Sequence, residues 1–179
     1  MSVPRLDPMP ADRPLTLRSA RTQDVPVIQA LVEPLARERV LLQKEAVAYY
    51  EAIQEFVVAE EADGTLAGFG ALHVMWQDIA EVRTLAVSRD HRGAGVGHLI
   101  LEELLRRARV VGVERVFCLT FEVEFFRRHG FAVMADQSAV DPEVYAELLR
   151  STDEGVAEFL DLARVKPNTL GNTRMIRRL

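Results

Sequence analysis

Apolar and polar residues alternate around Leu15 and Leu17 with the period of a strand, and the period then changes. Thr22 and Asp24 supply helix-start chemistry, and Ile28, Leu31, Val32 and Leu35 recur on one face of a helix that runs to about Arg37. That apolar face is expected to pack on a sheet. Residues 38–42 link it to a second helix over about 44–54. Residues 56–60 and 66–75 read as the strands of a hairpin, closed by the turn pair Asp63-Gly64. A further strand covers 80–87, and Leu101, Leu104, Leu105 and Ala108 repeat at helical spacing through a helix over 97–111.

Beyond it, residues 115–120 predict a strand, 122–129 a short helix closed by Gly130, and 131–134 another strand. Val144, Leu148 and Leu149 give the segment 141–162 a helical spacing; such a segment either covers a cleft or forms a dimer face. No internal repeat or linker divides the chain, so residues 15–179 read as a single domain. Residues 1–14, with Pro4, Pro8, Pro10 and Pro14 among charges, read as a flexible tail and not as a signal peptide.

Composition narrows the partners. The chain has 179 residues, 49% of them apolar, enough for one buried core. A net charge of −5 argues against a nucleic-acid binder, which needs an excess of Lys and Arg, so an anionic ligand must meet locally gathered donors. Cys118 is the only cysteine, which excludes an intrachain disulfide and a multi-cysteine zinc site. Its neighbours Val116, Phe117 and Leu119 make it a core thiol. No apolar run reaches the roughly 18 residues that span a bilayer. A cytoplasmic location is expected, with no metal, nucleic-acid or membrane partner.

Candidate chemistry concentrates in residues 89–97, Arg-Asp-His-Arg-Gly-Ala-Gly-Val-Gly, which join the strand at 80–87 to the helix at 97–111. Glycines let the backbone turn tightly, and the unpaired N–H groups and dipole of a helix start attract an anion, most readily a phosphate. Gly93, Gly95 and Gly97 lack the spacing of a dinucleotide fingerprint, and no Gly-Lys-Ser/Thr follows as a P-loop requires.

Arg92-x-x-Gly95-x-Gly97 resembles the Arg/Gln-x-x-Gly-x-Gly/Ala signature of the GNAT N-acetyltransferase superfamily, and the order of elements from residue 15 to about 134 is similar too. The resemblance implies an α/β (α+β) fold: a mixed, mostly antiparallel central sheet that opens into a V, flanked by helices. It also implies acetyl-CoA as co-substrate. The amides of Arg92, Gly93, Ala94, Gly95, Val96 and Gly97 would hold the pyrophosphate, and Leu85, Ala86 and Val87 would pair with the pantetheine arm.

Four further stretches, residues 40–44, 70–73, 80–87 and 165–175, resemble N-acetylglutamate synthases, and the ending 166–175 is similar to the short stand-alone synthases of actinobacteria. The activity so implied is acetyl transfer to the α-amine of glutamate, in some members glutamine, as the first step of arginine biosynthesis. The longer relatives carry an amino-acid-kinase-like domain that binds arginine, and regulation by arginine is not carried over. On this resemblance Lys44 and His73 stand where a substrate-gripping Arg and a Lys occur, and Thr173 where a serine does. Gly171 departs from a carboxylate-binding Arg, for which Arg83, Lys166 or Arg174 would compensate, and Asn172 adds a donor beside Thr173.

Amide formation needs a neutral amine, and a free α-amine titrates at about 8 or above, so a proton acceptor is required. Glu81, in an apolar strand four residues before Leu85, is the expected base; histone-acetylating members of the superfamily place theirs similarly. An ion pair with Arg83, on the same strand face, is the structural alternative for Glu81. The N–H of Val87 is the expected oxyanion donor. Arg106, Arg107, Arg127 and Arg128 fall off the apolar faces and read as exposed helix charges. Two other functions stay open: a GNAT enzyme for a different amine, such as a protein lysine, a peptide N-terminus or an aminoglycoside, and a non-catalytic acyl-CoA sensor.

Overall fold

The computed structural model describes residues 14–134, 140–160 and 171–179. Apart from Pro14, the expected tail lies outside them. Seven strands form one sheet: β1 (Thr16–Ser19), β2 (Phe56–Glu60), β3 (Leu66–Trp76), β4 (Ile79–Val87), β5 (Arg115–Thr120), β6 (Ala132–Val133) and β7 (Thr173–Arg178). Their order is β1-β2-β3-β4-β5-β7-β6. Every neighbouring pair is antiparallel except β4 with β5. The helices are α1 (Val25–Arg37), α2 (Ala46–Glu51), α3 (Val96–Val111), α4 (Val123–Arg128), α5 (Pro142–Leu148) and α6 (Glu154–Phe159).

Alternation along the strands sorts the core into two faces. On one face Leu72, Ala80, Val82, Val116, Cys118 and Met175 pack under α3 and α4, whose Ile100, Leu101, Leu104, Leu105 and Phe126 are buried. Cys118 is a core thiol as its neighbours predict, and burial pushes its pKa well above the ordinary value. On the opposite face two separate clusters form. Val25, Ile28 and Val32 of α1 and Tyr49 of α2 meet Phe56, Val58, Phe69 and Ala71. Val156 and Phe159 of α6 and Leu148 of α5 meet Met75, Ile79 and Phe117. Between these two clusters the same face of β3 and β4 carries His73, Glu81 and Arg83, all charged or polar. A gap between two apolar cores is where the fold places its chemistry.

Two irregularities shape that gap. Pairing of β4 with β5 runs from Ile79↔Arg115 to Val82↔Cys118 and goes no further, so the strands diverge beyond it. At the same level β4 bulges: the pairs Ala71↔Arg83 and Phe69↔Ala86 enclose Thr84 and Leu85 against the single residue Gly70. Thr84 takes a left-handed φ of 55°, a conformation a β-branched residue rarely adopts. The V opens here, three residues before Val87.

Three boundaries differ from the sequence pattern. The second helix is shorter than 44–54: α2 ends at Glu51, a 3-10 turn covers Ile53–Glu55, and Lys44 precedes the helix. The strand expected over 131–134 is paired only at Ala132 and Val133. β7, inserted between β5 and β6, follows from no alternation, because Thr-Arg-Met-Ile-Arg-Arg places its apolar residues side by side. Its registry comes from its neighbours. Among the described residues no helix is long and apolar enough to cross a membrane.

Candidate active site

The glycine loop begins where β4 ends. Residues Arg89–His91 form a 3-10 turn, Gly93 and Gly95 take φ of +81° and +79°, and α3 starts at Val96. Left-handed backbone at two positions two apart is what glycine permits and side chains resist. A Cβ built on either residue meets nothing within 4 Å, so the glycines are required by conformation and their surroundings leave room for a ligand. At the start of α3 the N–H groups of Val96, Gly97 and His98 have no intrahelical acceptor. The loop is braced by His91, whose Nε2 donates to Glu61 Oε1 at 2.7 Å while Nδ1 accepts from the Ser88 hydroxyl at 2.6 Å.

The end of β4 presents backbone to the opening. Ser88 N–H is spent on Ala67 O of the β3 side, at 2.9 Å. Groups on successive strand residues point to opposite neighbours, so Val87 N–H points to the β5 side, where β4 has no partner beyond Val82. Leu85, Ala86 and Val87 therefore offer an edge on which an extended arm can pair.

The polar gap is held by five elements. Glu81 on β4 stands opposite His73 on β3 and level with Phe117 on β5, and is 4% exposed. Arg83, two residues on, donates through Nη1 to Asp153 Oδ2 at 2.8 Å and through Nη2 to Glu55 Oε2 at 3.0 Å. Its distance to Glu81 Oε2 is 3.9 Å, beyond hydrogen bonding, so the Glu81–Arg83 pair expected as the structural alternative is weaker than Arg83's two other contacts. His73 Nδ1 donates to Glu55 Oε1 at 2.7 Å, and its Nε2 lies 3.8 Å from Asp153. Asp153 also caps α6, its Oδ1 accepting from the N–H groups of Gly155 and Val156 at 2.8 and 3.2 Å. A single carboxylate thus ties the start of α6 to β4.

α6 then lies over Glu81. A Cβ on Gly155 would stand 2.0 Å from Glu81 Oε2 and 2.7 Å from its Cδ, so only glycine lets the helix close on the carboxylate. Glu81 Oε2 is buried with no hydrogen-bond partner among the described residues. Burial pushes the Glu81 pKa up to about 7, with Arg83 opposing and Asp153 assisting. Burial also works to raise the pKa values of Glu55 and Asp153, but it is outweighed: His73 and Arg83 hold Glu55 below the ordinary carboxylate range, and chiefly Arg83 holds Asp153 below it. One carboxyl is poised to gain or lose a proton near neutrality, and two remain charged.

Lys44 differs from these. Among the described residues it forms no ion pair, and burial together with the nearby Arg83 charge lowers its pKa. A partly desolvated, unpaired cation is a place for a ligand carboxylate. Thr173 begins β7 opposite Thr120 of β5, two residues beyond the last β4–β5 pair, Val82↔Cys118. Beside it Asn172 Oδ1 is buried without a hydrogen-bond partner among the described residues. Lys166 lies outside the described residues, as does the 161–162 end of the segment expected to cover a cleft or form a dimer face. Within the described part of that segment, α6 lies over Glu81 through Gly155, and Leu148 of α5 joins the apolar cluster with Met75, Ile79 and Phe117. Arg106, Arg127 and Arg128 are exposed as expected, whereas Arg107 is half-buried and donates to Ser19 Oγ at 2.9 Å.

Glu55, Asp153 and Gly155 carry no motif signal. Asp153 is legible only as a helix-start residue, and that it grips Arg83, 70 residues away, is a product of the fold.

Known proteins share this architecture. An amino-acid acetyltransferase of Mycobacterium tuberculosis is 52% identical over 93% of this chain and 96% of its own length. A crystal structure of a protein from the same organism in complex with CoA and a second ligand superposes with a TM-score of 0.86 and 52% identity, over 92% of this chain and 99% of that one. N-acetylglutamate synthase from Neisseria gonorrhoeae, complexed with coenzyme A and N-acetyl-glutamate, gives a TM-score of 0.74 at 27% identity; this chain spans 35% of that longer one. Residues 27–131, which hold Glu81, the open end of β4 and the glycine loop, match the Acetyltransferase (GNAT) family, and the chain belongs to it.

Proposed function

We propose that this protein is an acetyl-CoA-dependent amino-acid N-acetyltransferase that acylates the α-amine of glutamate or glutamine, an N-acetylglutamate synthase activity. The observation that carries the reading is the pocket itself: a buried carboxyl poised near neutrality, within the electrostatic reach of Arg83 and of Lys44, which forms no ion pair among the described residues, where β4 parts from β5. The 52% identity to an amino-acid acetyltransferase over nearly both full lengths supports it.

When bound, acetyl-CoA supplies an activated thioester carbonyl to which the amine nitrogen bonds as the carbon–sulfur bond breaks. The chain's residues do the rest. Residues 92–97 hold the pyrophosphate with backbone N–H groups at the start of α3, and Leu85 to Val87 align the extended arm along the free edge of β4. Val87 N–H faces the opening and accepts the developing charge on the carbonyl oxygen as a hydrogen-bond donor. Lys44 pairs with a substrate carboxylate, and Asn172 and Thr173 hydrogen-bond the substrate from β7. Glu81 receives the proton of the amine. With Oε2 covered by Gly155, that proton travels through a bridging water.

Arg83 and His73 act differently from a direct substrate grip. Glu55 and Asp153 already occupy both guanidinium arms and the His73 ring, so the two cationic side chains shape the pocket around Glu81. The Glu55–His73 contact also favours a second proton path, since a carboxylate that orients Nδ1–H leaves Nε2 as an acceptor.

The decisive experiment measures thiol release from acetyl-CoA by the purified protein with glutamate, glutamine, other amino acids, lysine peptides and an aminoglycoside. Turnover with glutamate or glutamine is the expected result. If both are inert while another amine is acetylated, the substrate reading fails; binding of acetyl-CoA without turnover on any amine identifies a sensor.

A further inference from the structure

Outside the cleft, three metal-ligating side chains converge where α3 meets α4. His98 and Glu102 lie four residues apart on α3 and so share a face, and His129 follows the last turn of α4. His98 Nδ1 is 2.8 Å from His129 Nε2. One ligand atom from each of the three residues lies within 4.8 Å of the others.

The arrangement is already oriented for an ion. His129 Nδ1 is 2.7 Å from the backbone carbonyl of Phe125. A carbonyl oxygen can only accept, so the neutral ring carries its proton on Nδ1 and its lone pair on Nε2, the atom that faces His98. The His129 ring is further held against Phe125, with centroids 4.6 Å apart. In the present contact His98 donates from Nδ1. Moving that proton to its other nitrogen turns a second lone pair to the same point. Two nitrogens bound tetrahedrally at about 2.0–2.1 Å stand roughly 3.3 Å apart, so the rings need to separate by only about half an ångström.

We propose that His98, Glu102 and His129 form a binding site for a divalent transition metal, Zn2+ before others, which clamps α4 to the first turn of α3. Two imidazoles and a carboxylate form a borderline donor set suited to Zn2+, with water completing the tetrahedron, and disfavour Mg2+ and Ca2+, which seek oxygen. The clamp stands beside the glycine loop. His98 directly follows Gly97, and Phe125, which packs on His129, has its Cζ 3.5 Å from the Cβ position of Gly97. An ion here fixes α4 against the loop without entering the pocket around Glu81. The inference is independent of the acetyl-transfer reading.

The test uses the full chain, freed of any affinity tag and stripped with a chelator, titrated with Zn2+ by calorimetry and with Co2+ as a visible-absorption probe. One ion per chain is expected, with the intense absorption of four-coordinate Co2+. At a hundred times Kd the melting temperature should rise roughly 5–10 °C. His98→Ala and His129→Ala are at or near the surface and should each weaken binding at least tenfold, and Glu102→Gln by less. Melting in chelator shows that the variants fold. The proposal is overturned by the absence of saturable uptake in the parent, or by a loss smaller than tenfold when both histidines are replaced.

Discussion

The glycine loop and the pocket around Glu81 share strand β4 and are built by opposite means. The loop is contiguous in sequence, residues 89–97, and works through backbone: left-handed Gly93 and Gly95, and N–H groups at the start of α3. The pocket draws Lys44, Glu55, His73, Glu81, Arg83, Asp153 and Gly155 from separate elements and works through side chains. The loop lies inside the segment that matches the family, whereas Asp153 and Gly155 lie beyond it, at the start of α6. A backbone site needs only the right conformation, so any sequence with glycines at the right spacing preserves it. A side-chain site needs partners, and changing them changes the acceptor.

Glu81 offers the sharpest way to break this contrast. Glu81→Gln keeps the shape and removes the proton acceptor, so kcat should fall about 10²–10⁴-fold while KM for acetyl-CoA is unchanged. Steady-state thiol release measures both. A retained kcat would move the base to His73 and its Glu55 partner.

Lys44→Met tests whether this cation serves the acceptor. Loss of a charge-assisted hydrogen bond should raise KM for the amino acid about 10–100-fold, with a much smaller change in kcat and none in acetyl-CoA affinity. An unchanged amino-acid KM would show that Lys44 does not grip the acceptor.

The same Glu81→Gln variant should separate activity from stability. The folded-state pKa of Glu81, about 7, lies above its unfolded value near 4.5. Its environment therefore favours the protonated form: the cost to the folded state is absent below the unfolded pKa and grows as pH rises to the folded one. Relative to the parent, the variant should gain about 2 kcal/mol of unfolding free energy between pH 5 and pH 8. Urea unfolding at the two values measures it, and a difference that does not depend on pH would show that Glu81 is not desolvated.

The smallest effect belongs to the loop. Gly95→Ala forces a side chain onto φ +79°, a strain of about 1–2 kcal/mol, and should raise KM for acetyl-CoA about tenfold while leaving the amino-acid KM unchanged. If the amino-acid KM rises equally, the two halves are coupled through β4 and the contrast between them fails.

The legibility of the fold follows the same division. α1, α3 and the β2–β3 hairpin are readable because amphipathic period and turn chemistry are local, and each is long enough to repeat its pattern. The bulge is not, and the V was expected only through the family resemblance: Thr84 takes a left-handed φ that its own residue type disfavours, imposed by the mismatch between β3 and β4. β7 likewise owes its place between β5 and β6 to pairing, since its six residues alternate poorly.

At the site, Glu81, Arg83, Lys44 and His73 were nameable from sequence as candidates, but their partners were not. Arg83 reads as a neighbour of Glu81 by spacing along the strand, yet its guanidinium goes to Glu55 and Asp153, which approach from two other elements. Spacing predicts which side chains share a face, while contact depends on what packs above that face.

The glycine loop was legible in consecutive residues, because an anion cradle made of glycines and a helix start is a local conformational property. The surroundings of Glu81 come from packing between distant elements: α6 closing on it through Gly155, the two carboxylates that occupy Arg83 and His73, and the burial that brings one carboxyl near neutrality. Desolvation and ion pairing depend on distance in space, and distances between residues 55, 81 and 153 exist only once the chain has folded.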